Sequence, residues 1–96
     1  MQFILNSRLG EGVTRERFIE YVRDEEDHKS WELVRKGIIQ QWLWKTGDEP
    51  GLVVLMNCAD ADEARRLVDA APIVEAGILT FEIEPVDPFP NNLLGL

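Results

Sequence analysis

Cysteine and histidine occur once each, at Cys58 and His28. A lone cysteine excludes an internal disulfide and a multi-cysteine metal site. With one histidine beside it, a zinc or iron centre built from protein ligands alone lacks donors, so no metal or cofactor is expected. Basic residues are also scarce, 10 against 18 acidic ones, for a formal charge of −8. A surface of that sign repels phosphate backbones and anionic lipid, which removes nucleic acid from the expected partners. No apolar run approaches the roughly 20 residues of a membrane span, and the opening MQFILNSRL lacks a basic region followed by a full apolar stretch. The expectation is a cytoplasmic protein with no membrane partner.

What remains is 96 residues, 45% of them hydrophobic, without internal repeat, low-complexity tract or linker. That suits one domain, expected over residues 1–86 with a docking tail at 87–96. So short a chain makes only a modest core, and burial of a second face against another copy, a homodimer or higher homo-oligomer, is expected to complete it.

Residues 2–8 alternate, with Phe3 and Leu5 on one side and Gln2, Ile4, Asn6 and Arg8 on the other, which predicts a first strand. Gly10 and Gly12 break it, and Thr14 is placed to cap a helix over 14–36 that Gly37 closes. The run 38–45, IIQQWLWK, predicts a second strand. Strict alternation there puts Gln40, Trp42 and Trp44 on one face and Ile39, Gln41 and Leu43 on the other. After the turn TGDEPG, the apolar run 52–56 should pair back as a hairpin. Residues 60–71 open with an Asp cap and Glu63 at capping-box spacing and end at Pro72, which predicts a second helix. Residues 78–84 alternate Leu79, Phe81 and Ile83 against Thr80, Glu82 and Glu84, giving a fourth strand, and the prolines of the tail are expected to end the sheet. The order β-α-β-β-α-β is the split pattern of ferredoxin-like α+β folds, with a four-stranded antiparallel sheet and both helices on one face. The opposite face, expected to carry Trp42 and Trp44, would be bare in a monomer.

The segment TRERFIEYVRDEEDHKSWELVRK at 14–36 carries charge on its apolar stripe, which runs through Phe18, Val22, Glu26, Lys29 and Leu33. Buried charge is costly unless it is paired or useful, so this face is the expected site. Glu26 is the candidate base, since desolvation would raise its proton affinity and Arg23 or Lys29 would lower it again. The plainer alternative is a structural ion pair. His28 lies on the flank of the stripe. Trp42 and Trp44 could line a ligand cavity or fill a subunit interface. Trp31 falls opposite the stripe and is expected to meet the tail or another subunit. Cys58 reads as a small buried hydrophobe.

Several of these features together resemble muconolactone isomerase and its relatives: Glu26 within RDEEDHKSWELVRKG, the tryptophan strand after Gly37, the Gly47 turn, the helix ADADEARRLVDAAP and the ending ILTFEIEPVDPFP. The resemblance implies a dimeric α+β barrel that moves a proton on a small unsaturated lactone, with an acid at Glu26 and a cation one turn earlier at Arg23. Where the family carries His-Leu-Trp, this sequence has Gln41, Trp42 and Leu43. The stretch PIVEAGIL is also similar to YciI-like domains, whose Asp is replaced by Ala71.

The first expectation is therefore a cofactor-independent isomerase that binds a small apolar or weakly anionic metabolite. Glu26 would be its base, and Arg23, Lys29, Trp42, Trp44 and His28 would stand around the ligand. The alternatives are a non-catalytic ligand-binding or assembly protein of the same fold, or a cofactor-free monooxygenase with an aromatic substrate stacked near the tryptophans.

Overall fold

The computed structural model describes residues 1–24 and 28–88. Its elements run β1 (Gln2–Leu9), α1 (Arg15–Asp24), α2 (His28–Arg35), β2 (Ile39–Trp44), β3 (Leu52–Asn57), α3 (Ala61–Asp69), α4 (Pro72–Glu75) and β4 (Leu79–Val86). The four strands form one antiparallel sheet in the order β2-β3-β1-β4, and the fold is ferredoxin-like α+β. The expected helix over 14–36 is helical on both sides of residues 25–27, which lie outside the described residues, as does the tail from 89 on.

Residues directly paired across a ladder share a face, so the register fixes which side chains look inward. Phe3 pairs with Met56, and Leu5 with Val54 and Ile83; Ser7 pairs with Phe81. Phe3, Leu5, Val54 and Met56 are buried, with Ala64 and Val68 of α3 packed over them. Phe18 of α1 joins Ile78 and Leu79 in a second cluster at the other end of the sheet. The helices therefore cover the face expected from β1 and β4. The opposite face carries Ile4, Leu43, Val53 and Leu55 amid polar Arg8, Gln41, Glu82 and Glu84, and among the described residues no helix packs on it.

One expectation fails on β2. Ile39 pairs with Met56 but Gln41 with Leu55, so the strand has an extra residue between them, a β-bulge. The bulge shifts the alternation by one position. Trp42, paired with Val54, and Trp44, paired with Leu52, now share the helix-covered face with Ile39. The tryptophans lie under the helices and leave the open face to Leu43 and Gln41. Strict alternation could not reveal this, because a one-residue slip moves every later side chain to the other face.

The caps fall as their residue types suggest. Thr14 Oγ1 accepts the Arg17 N–H at 3.1 Å, and Asp60 Oδ1 accepts the Glu63 N–H at 2.8 Å. The Glu63 carboxylate reaches back to the Ala59 N–H at 3.0 Å, one residue before the cap. Gly37, at φ 77°, lets the chain leave α2 while its N–H and that of Ile38 bond back to Val34 and Leu33. Pro72 ends α3 as expected and then serves as the first residue of α4, a position where its missing N–H costs nothing. Pro85, expected to close the sheet, stands inside β4 opposite Phe3, as an edge strand allows.

The turn between β2 and β3 is tied to β1 by Ser7, whose buried Oγ accepts the Leu52 N–H at 2.8 Å while its carbonyl accepts from Lys45 Nζ. Gly51 makes room for this. A Cβ there would lie 2.3 Å from Ser7 Oγ, and its φ of 154° disfavours any other residue.

Candidate functional site

Between the inner sheet face and the helices lies a cavity of about 400 Å³. Its floor is the centre of the sheet, with Leu5, Val54 and Met56 flanked by Trp42 and Trp44 on one side and Phe81 on the other. Its walls are Tyr21 and Val22 of α1, Ser30, Trp31 and Leu33 of α2, and Leu67 and Val68 of α3. All three tryptophans of the chain border this one space.

The aromatic rings hold each other in place. Phe18, fully buried, stacks on Trp44 with centroids 5.4 Å apart and planes at 29°. Trp31 meets Trp42 edge-on, with centroids at 5.3 Å and planes at 83°. Both are favoured aromatic geometries, and together they join α1 and α2 to β2. The large hydrophobics exposed among the described residues are Met1, Val22, Trp31, Trp42, Leu43 and Trp44; Val22 and the three tryptophans border the cavity from inside, while Leu43 touches it from the edge strand with its side chain on the open face. Apolar surface left open and gathered in one place makes this cavity the candidate site.

No described lining residue is an Asp, Glu, Lys, Arg or His. Hydroxyls come from Tyr21 and Ser30, and the indoles offer N–H donors. Arg17 sits 5.9 Å from the centre of the Tyr21 ring and is ion-paired with Glu20 at 3.7 Å.

Of the residues singled out in the sequence, Trp42 and Trp44 border the cavity from the sheet. Arg23 is exposed in the last turn of α1 and does not line it. Lys29 points away toward α4, 4.0 Å from Glu75, and borders a second hollow between α2 and α3 with Glu32, Arg35 and Leu67. Glu26 and the side chain of His28 lie outside the described residues. In the sequence, Glu26 stands four residues after Val22 and four before Ser30, both of which line the cavity.

Trp31 and Tyr21 were hidden from the sequence pattern. The inward residues of α1 are Phe18, Tyr21 and Val22, and those of α2 are Ser30, Trp31, Leu33 and Val34. These two sets do not continue one stripe at 3.6-residue spacing, so a single helical wheel drawn over 14–36 sends Trp31 outward. A tryptophan three residues before the half-buried Val34 was the signal available.

Among the described residues, two groups have displaced proton affinities. Burial, aided by the charge of Glu63, pushes the Cys58 thiol up from its ordinary value. The exposed Glu32 carboxyl is held below the usual range by the Arg35 hydrogen bond at 3.1 Å and then by the charge of Lys36. Neither faces the cavity.

No protein-family model matches the chain, and no curated protein matches it either. Among solved structures, the fold is similar to 5-chloro-2-hydroxyhydroquinone dehydrochlorinase from Burkholderia phenoliruptrix AC1100, determined in complex with 2,5-dihydroxybenzoquinone. The TM-score is 0.70 at 19% identity, over 95% of this chain and 98% of that one. At that identity the likeness is one of fold. Among the described residues, no helix is long and apolar enough to cross a membrane.

Proposed function

We propose that this chain binds a small ring compound in the aromatic cavity and moves a proton on it without a cofactor, with Glu26 as the base. The observation that carries this reading is the convergence of Trp31, Trp42 and Trp44 on one cavity whose walls include Val22 and Ser30, the residues four before and four after Glu26. A cavity of about 400 Å³ is in the size range of small-molecule sites. The dehydrochlorinase that shares the fold was captured with 2,5-dihydroxybenzoquinone, a flat six-membered ring, and Trp42 and Trp44 offer flat surfaces for a ring of that kind. A carboxylate beside such apolar walls would have its proton affinity raised by desolvation, the tuning a general base needs.

The reading also includes a homodimer formed on the open sheet face. Ile4, Leu43, Val53 and Leu55 give that face an apolar centre, and their burial against a second copy would add what a small core lacks. Sedimentation at micromolar concentration should return twice the mass of 11.0 kDa.

A second reading, a barrel that binds its ligand without turning it over, is favoured by the hydroxyls of Tyr21 and Ser30 being the described titratable or hydroxylic groups in the lining. Replacement of Glu26 by Gln separates the two. Loss of turnover with retained binding supports the base, whereas binding by the wild type with no proton exchange on any ring supports the binder. Oxygen uptake with an aromatic substrate would instead mark a monooxygenase.

A further inference from the structure

We infer that this cavity sorts its ligands by charge, holding flat rings that carry no negative charge and rejecting rings of the same shape that carry a carboxylate. The inference rests on the proposed use of the cavity as a ligand site and narrows the class of ligand it takes.

An anion moved from water into an apolar space needs a cation or several donors to replace its hydration. The cavity floor and walls provide indole N–H groups and hydroxyls but no Lys or Arg among the described residues. The neighbouring cations are engaged elsewhere. Arg17 pairs with Glu20, Lys29 with Glu75, and Lys45 donates to the Ser7 carbonyl. The residues outside the described ones bring no lysine or arginine. Residues 25–27 are Glu, Glu and Asp, and residues 89–96, FPNNLLGL, contain no charged side chain. The net charge of −8 adds repulsion over a longer range. Arg23, exposed in the last turn of α1, does not line the cavity either.

The test uses two near-isosteric flat probes, 4-nitrobenzamide and 4-nitrobenzoate, which differ in charge and both quench indole fluorescence. All three tryptophans border the cavity, so quenching of the 96-residue protein reports directly on occupancy. At about pH 8 the amide is expected to quench saturably, with the carboxylate binding about tenfold more weakly or worse, which corresponds to about 1.4 kcal/mol or more. Val22→Arg places a guanidinium at a wall position that is already 40% exposed, and it should move the ratio of nitrobenzoate to nitrobenzamide affinity about tenfold toward nitrobenzoate. Equal or tighter binding of nitrobenzoate by the wild type overturns the charge selection but leaves the cavity as a ring site. Absence of saturable quenching by either probe overturns the ring site itself, and the selection with it.

Discussion

Trp31 on α2 meets Trp42 on β2 edge-on, at 5.3 Å and 83°, and this pair closes one side of the cavity. Trp31 is 56% exposed, so its indole contributes little core burial and is free to contact a ligand. Trp31→Ala is expected to weaken binding of a flat ring about tenfold, as loss of one aromatic contact of ~1 kcal/mol or slightly more implies. Thermal stability should fall by only a few degrees, and Trp31→Phe should restore most of the affinity. Fluorescence titration on the two remaining tryptophans measures it.

Phe18 has the opposite character. It is fully buried and stacks on Trp44 at 5.4 Å, so it holds the β2 wall of the cavity from behind. Phe18→Ala should cost about 3–5 kcal/mol, a large share of the stability of a small domain. Phe18→Leu should cost less than half as much. Urea unfolding followed by far-ultraviolet circular dichroism distinguishes these outcomes.

The bulge on β2 leads to a prediction about chain length. Deleting Gln40 leaves Ile39, Trp42 and Trp44 in regular alternation opposite Met56, Val54 and Leu52. The shortened protein should fold and keep both indoles in the cavity, at the loss of the exposed Gln2 to Gln40 hydrogen bond. Inserting a residue between Gln41 and Trp42 should turn Trp42 and Trp44 to the open face and remove their share of ligand quenching.

Cys58 is 5% exposed and its thiol is held protonated by burial above the usual range. A raised value in the fold stabilises the protein below the ordinary thiol pKa of about 8.5, and that contribution is lost as pH rises through the folded value. Thiol reagents at about pH 8 should therefore label the native protein far more slowly than the urea-unfolded one. Stability should decline from about pH 8.5 upward, and Cys58→Ala should flatten that decline.

Much of the fold was legible because its signals are local. The alternation in 2–8 and 78–84, the Asp60 cap and Gly37 each depend on neighbours a few residues away, and each stands where its chemistry suggests. The cavity was half legible. Trp42 and Trp44 were identified as candidate ligand contacts, but their face was not, since the bulge at Gln40 is set by pairing with β3 rather than by the residues of β2. Trp31 was sent outward because one wheel was drawn through two helices whose inward faces differ in phase. Lys29 sat on the apparent stripe, yet its ammonium meets Glu75 of α4, a contact visible only after the chain has folded back.

The central claim is that Glu26 moves a proton on a ring held between the tryptophans. Incorporation of solvent deuterium into uncharged cyclic enones and small unsaturated lactones, compared between the wild type and Glu26→Gln, tests it most directly. The wild type should catalyse exchange on at least one such ring. Glu26→Gln should lose about a hundredfold or more of that rate, the usual share of a general base, with ring binding by tryptophan quenching unchanged. Exchange that is equally fast in the variant, or absent from the wild type on every ring that binds, would contradict it.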